Sequence, residues 1–469
     1  MSREAPPQTP STAPSGPDWR EPFTTGGARA WLWRRIAPQW ITRDMGLIIV
    51  ARASISVARA LAGIITPIYL SLLGFSGVAL GLAFTVIALT NAAFSALIGA
   101  LSDRVGRKIF LIVIPLLAAL AAVTFAFSSN AAVLIVVAAL GSFGRGAGAG
   151  AGMIGPYQPA EQALLADGVP PRWRTNLFGR VAFASSLGAL IGGPLAALAV
   201  TPAAGAPAAQ IVADYRPAFL AAALAAALAG LIVLPISEPR RSPALTRKDG
   251  KRASLLRPHF STTTWRILPR LWITNSVNGL AIGFFGPFVT YWLYLRYGAT
   301  PGMVGALFAI INLAALVANL MAARFAARMG LVNAIFWGRM LQAVLIVPMV
   351  LAPTFWLAGV AYLARMMAQR MALPLRQSYV MGVIPSSERG AAGALSNLPM
   401  QVTSAVSPIA AGYLFDEVSL SLPFELGALL QGFNAVLFYL FFRHLPPPEE
   451  RAAPAATDAT IPKTSLESA

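Results

Sequence analysis

Cysteine is absent from the 469 residues, which excludes disulfides, thiol catalysis and thiolate metal sites. Histidine is nearly absent: His259 and His444 fall in loop or helix-end contexts and build no metal cluster. Charge is scarce too. Asp, Glu, Lys and Arg make up 12% of the chain, against about a quarter in a soluble domain. No Ser–His–Asp set, metal-ligand pattern or phosphate loop stands out, so neither an enzyme nor an ATP-driven machine is expected. The glycine run Gly144–Gly152 lacks a Gly-Lys-Ser/Thr ending and a preceding strand, and reads as a close helix contact. Nor does the chain open as a secretory signal: residues 1–28 are rich in Pro, Ser, Thr and Gly.

What the chain has in quantity is apolar surface, 57% of its residues. So few charges cannot coat so much of it with a water-facing shell, so hydrocarbon must replace water over most of the exterior. Apolar runs of about 20 residues predict twelve spans, at 46–71, 77–101, 109–129, 131–154, 176–200, 217–236, 270–295, 303–323, 331–352, 355–373, 390–414 and 422–442. The expected fold is an all-α polytopic membrane protein.

The basic residues orient it. Connectors on one side carry nineteen Lys and Arg, those on the other only Arg216 and Arg296. Short basic loops face the cytoplasm, so both termini are expected there. Residues 1–43 and 445–469 read as disordered cytoplasmic tails, the first with an interfacial anchor at Trp31, Trp33, Arg34, Arg35 and Trp40. The basic connector 237–269 separates the halves 44–236 and 270–444 and is expected to lie on anionic lipid rather than nucleic acid. A faint repeat relates the halves: Pro159, Glu161 and Gln162 recur 215 residues later as Pro374, Arg376 and Gln377, in what reads as the connector after each fourth span.

Between the second and third spans stands Gly99-Ala100-Leu101-Ser102-Asp103-Arg104-Val105-Gly106-Arg107-Lys108. Gly99 permits a close helix contact, and Gly106 permits a reversal of the chain. Asp103 suits the positive end of a neighbouring helix, while Arg104, Arg107 and Lys108 hold the loop at the cytoplasmic surface. The segment resembles the signature loop of the major facilitator superfamily, Gly-x-Leu-x-Asp-Arg-x-Gly-Arg-Lys. That resemblance implies two six-helix bundles rocking about a central site, with this loop stabilising the outward-facing state. The second half has a poor copy, Ala323–Gly330, with Ala327 in the acidic position. In the fifth span, Gly188 to Pro194, with Gly192 among them, is similar to the glycine–proline motif of exporters in this family, which implies export.

The candidate site is drawn from polar residues inside apolar sequence. Arg52 and Arg59, seven apart on the first span, share a stripe with Ser56; a buried guanidinium faces a bundle interior, a water-filled cavity or a partner. Arg145, Arg339 and Arg365 extend the set, and Asn275, Asn278, Asn312, Gln342, Asn397 and Gln401 sit at helical spacings beside them. The acids all read as connector or helix-end residues. Glu161, at a helix end within reach of Arg145, Arg172 or Arg174, is the candidate coupling residue. Unbalanced positive charge suggests a small or amphiphilic organic anion as cargo. The alternatives are a broad-range hydrophobic drug exporter with structural arginines, or a uniporter or anion exchanger without proton coupling. No cofactor or metal is implied, and a monomer is expected.

Overall fold

The computed structural model describes residues 41–144, 155–167, 171–202, 205–237, 260–385 and 388–445. The N-terminal anchor, Arg145 with most of the glycine run, most of the basic connector and the C-terminal tail lie outside them. The described secondary structure is helical: α1 Arg43–Leu72, α2 Gly77–Val105, α3 Lys108–Phe127, α4 Ala131–Gly141, α5 Gln158–Asp167, α6 Pro171–Gly192 and α7 Ala208–Ile232 form the first half. In the second half are α8 Thr262–Phe285, α9 Val289–Tyr297, α10 Pro301–Met329, α11 Leu331–Val344, α12 Ile346–Leu351, α13 Phe355–Val383, α14 Arg389–Glu417 and α15 Leu422–Phe442.

Side-chain oxygens start several of these helices. Thr42, Ser76 and Ser261 accept from backbone N–H groups in the first turns of α1, α2 and α8, satisfying donors that have no partner within the helix. The start at Thr262 makes the central connector shorter than its charge pattern implies, because Ser261 is itself held: its N–H and hydroxyl both donate to the Glu388 carboxylate. Other expected spans are interrupted. The fourth stops at Gly141, where Ser142 turns left-handed at φ 49°. The fifth breaks after Gly192 into a 3-10 turn, Pro194–Leu198, and the seventh between Phe285 and Val289. The tenth runs on past residue 373 to Val383.

Among the described residues, seven helical stretches are long and apolar enough to cross a membrane: Arg43–Leu72, Gly77–Ile98, Lys108–Phe127, Leu177–Leu198, Ala208–Ile232, Leu331–Leu351 and Leu422–Phe442. Helices α8, α13 and α14 are as long but more polar, carrying among others Asn275, Asn278, Arg365, Gln369, Arg376, Asn397 and Ser404. Their polar residues pack inward, and these helices build much of the site.

The two halves meet closely at one end. A Cβ on Gly193 would fall 2.6 Å from the Gly305 carbonyl oxygen, and one on Gly77 would fall 2.8 Å from that of Gly412. Small residues let the backbones approach this far. Phe84 of α2 meets Phe288 edge-on at 5.6 Å across the same junction. The main apolar core runs through this end into both halves. A smaller separate core, with Ile267, Ile335, Tyr379 and Phe442, lies at the opposite end and within the second half alone.

Candidate functional site

In the first half the structure corrects the expectation that no carboxylate accompanies the buried arginines. Glu161 lies on α5 rather than in a connector, and its side chain and that of Arg52 are each only 2% exposed. Arg52 Nε donates to Glu161 Oε1 at 3.0 Å, and its NH2 pairs with Oε2. Arg52 therefore does not reach for the membrane surface. The Tyr157 ring lies 5.9 Å from the same guanidinium. Among the described side chains Glu161 is the one buried carboxylate. Its described partner is Arg52, 109 residues away; Arg145 and the side chains of Arg172 and Arg174 lie outside the described part.

The rest of this stripe is committed to packing. Ser56 donates to the Arg52 carbonyl at 2.8 Å, and α6 rests on it through Gly188. Arg59 packs against the backbone at Gly155.

The second half holds a different arrangement. Arg339 of α11 donates through NH1 to Asn278 Oδ1 at 3.0 Å and to Asn434 Oδ1; Asn434 in turn donates to the Thr274 carbonyl. Arg376 donates to Asn275 Oδ1 and, at 3.4 Å, to Asn397 Oδ1. Arg365 lies 3.8 Å from the Phe285 ring centroid, a cation–π contact. Beside these groups opens a small cavity of about 30 Å³. It is lined by Asn278, Ile282, Arg339, Gln342, Arg365, Gln369, Ala372, Leu373 and Gln431.

Four expected site residues, Asn278, Arg339, Gln342 and Arg365, thus line one cavity. Asn275 and Asn397 join its neighbouring network through Arg376. Asn312 donates back to the Phe308 carbonyl at 2.8 Å within its own helix, and Gln401 is exposed, away from the cavity. Gln369 is an addition. It follows Arg365 by four on α13, and that helical spacing was the available signal. Arg376 counted in the sequence only as a loop charge, yet it is buried in a helix.

The signature loop forms a tight reversal. Gly106 adopts φ 104° and donates its N–H to the Ser102 carbonyl at 3.2 Å, so α2 ends and α3 starts at Lys108. The side chains of Asp103 and Arg104 lie outside the described part, as does everything beyond the backbone at Gly99. Arg107 is buried. Gly192 lets α6 approach the Val57 carbonyl of α1, and Pro194 opens the following 3-10 turn. At the closed end Asp416, the last but one residue of α14, accepts from Gly77 N–H at 2.7 Å and Val78 N–H at 2.8 Å. A carboxylate of the second half thereby caps the first turn of α2, a contact no sequence pattern announces.

The sequence profile of the Major Facilitator Superfamily matches residues 48–270 and again residues 271–468. The chain belongs to that superfamily. Among curated proteins it is 25% identical over 389 residues to the quinolone resistance protein NorA of Staphylococcus aureus (strain MRSA252), covering 80% of this chain and 90% of that one. It is 23% identical over 370 residues to the multidrug resistance protein MdtG of Proteus mirabilis (strain HI4320), covering 77% and 85%. Among solved structures, the inward-open xylose transporter XylE from E. coli superposes with a TM-score of 0.65 at 16% identity, covering 85% of this chain and 95% of that chain. This likeness shows the fold.

Membership makes the protein a secondary-active transporter rather than an enzyme. It is a multi-pass protein of the bacterial inner membrane and moves a small organic solute by alternating access.

Proposed function

We propose that this transporter exports amphiphilic organic molecules of broad structure through twelve spans in two six-helix halves, with both termini in the cytoplasm. The match over most of the chain to two proteins named for drug resistance carries the export reading. The glycine–proline break at Gly192 to Pro194 supports it. The bias of basic residues toward the connectors on one side, with Arg376 no longer counted among them, supports the orientation. The long polar helices α8, α13 and α14, added to the seven apolar stretches, favour the higher span count. In this orientation the end held by Asp416 and the facing glycines is the outer one, and the state is closed outward.

Of the buried second-half arginines Arg339, Arg365 and Arg376, the first and last are held by amide oxygens, which favours a structural role for part of the positive charge and a mixed cargo range. Glu161 is the coupling residue in this reading. As the buried carboxylate it has a proton to gain, and protonation would release Arg52 and loosen the first half. Cytoplasmic basic connectors lie on anionic lipid, and the unit is a monomer.

The test is transport in sealed proteoliposomes, using anionic, neutral and cationic amphiphiles with and without a pH gradient. Movement of several amphiphiles against their gradients, driven by pH, is expected. Binding without movement, or movement of small hydrophilic solutes alone, overturns the reading.

A further inference from the structure

The cavity of the second half contains more hydrogen-bonding capacity than the protein uses. Arg339 Nε and Arg365 Nε are buried without a hydrogen-bond partner, and so is Gln369 Oε1. Arg339 and Arg365 are each only 6% exposed. All three side chains line the same space. Among the described residues, no carboxylate lines it. Arg339 leans on the neutral oxygens of Asn278 and Asn434, while the described contacts of Arg365 are the Phe285 ring and, at 3.8 Å, the Met366 sulfur. Buried polar atoms are nearly always satisfied in a working protein. Two buried cations with unused N–H groups are best satisfied by an anionic acceptor, since charge-assisted bonds to guanidinium are the strong ones. The Gln369 amide can be turned over to present its NH2 to the same acceptor. Ile282, Ala372 and Leu373 supply an apolar wall beside it.

From this geometry we propose that the cavity is an oxyanion subsite: Arg339 and Arg365, with Gln369, bind the carboxylate of an amphiphilic cargo whose apolar body lies against Ile282 and Leu373. The inference rests on the exporter reading and narrows it. Cargo of many shapes enters, and an acid group adds affinity here. In the first half Glu161 occupies the corresponding electrostatic role for Arg52.

The experiment compares 1-naphthaleneacetate with its neutral isostere 1-naphthaleneacetamide, using the purified full chain in lipid nanodiscs. Binding is read by calorimetry, and movement of each compound in proteoliposomes. The acid is expected to bind about tenfold or more tighter than the amide, the magnitude of one good hydrogen bond to a charged group. R365Q and R339Q should each remove most of that preference, read as the ratio of acid to amide affinity within each variant; R365K should keep part of it. Equal binding of acid and amide to the wild type overturns the subsite, and this arm needs no variant to fold. Transport of the amide in that case leaves the exporter reading standing, whereas movement of neither compound overturns that reading itself. Displacement of the acid by inorganic phosphate supports a general oxyanion subsite. Loss of acid binding on changing the nanodisc lipid from phosphatidylcholine to phosphatidylglycerol identifies a lipid headgroup as the occupant and overturns the assignment to cargo.

Discussion

Glu161 and Arg376 stand 215 residues apart at matching places in the two halves, and both are buried. In the first half the acid of α5 meets Arg52 of α1. In the second, the arginine of α13 meets Asn275 of α8. The same junction, the first helix of a half against the segment near its fourth, is closed by an ion pair in one case and by a cation on amides in the other. Burying charges is costly unless they are paired and hydrogen-bonded. For Arg52 the first half meets that cost internally. The second offsets it only in part, with Asn275, Asn278, Asn397 and Asn434, and keeps unused N–H groups at a cavity. One half is built to hold or release a single pair, the other to accept something from outside.

Breaking the ion pair should have the largest effect. Glu161→Gln strands Arg52 in an apolar setting, and about 3–5 kcal/mol of stability is expected to go. It would be read as a lowered Tm and reduced monodisperse protein in detergent. The double variant R52Q/E161Q should recover most of the loss; if it is no more stable than the single, the pair is not what holds α1 to α5. The second half should be more forgiving. Asn434→Ala leaves Arg339 with Asn278 and is expected to cost about 1–3 kcal/mol, so its Tm should fall less than that of E161Q. An equal or greater fall would erase the contrast between the halves.

A smaller effect is expected where the halves touch. Asp416→Asn weakens the cap on α2 and should shift the population toward opening of that end by about two- to fivefold, the worth of a helix-cap contact. With no native cysteine in the chain, spin labels at S129C and T354C can report the separation of the two loops at this end. An unchanged distance distribution would remove Asp416 from the gate. The smallest effect belongs to Glu388, whose carboxyl is held below its ordinary value by side-chain hydrogen bonding from Thr264 and by Ser261. A lowered acid in the folded state stabilises above its ordinary value of 4.5 and loses that contribution as pH falls through the lowered one. Glu388→Gln should therefore flatten the acid limb of the stability profile slightly and leave neutral pH almost unchanged; thermal melts from pH 3 to 7 check this.

Much of this was legible in the chain. The apolar runs, the loop at Gly99 to Lys108 and the arginines inside apolar helices are local patterns, and they led to the fold and to four residues of one cavity. Glu161 was misplaced for a physical reason. The nearest basic residues along the chain, Arg145, Arg172 and Arg174, were its expected partners, and nothing local says that Arg52 lies beside it in space. Arg376 was read as a loop charge because α13 was expected to stop at residue 373, yet the helix runs to Val383 and buries it. The Asp416 cap is likewise invisible to helical periodicity, since it joins chain segments 339 residues apart.

The division of labour between the halves can be tested in one measurement: pH-driven efflux from proteoliposomes for wild type, R52Q/E161Q and R365Q. Wild type should move cargo against its gradient. The double variant should move it downhill only, and R365Q should stay pH-driven with a raised KM for acidic cargo. Coupling lost in R365Q and retained in R52Q/E161Q would contradict the account.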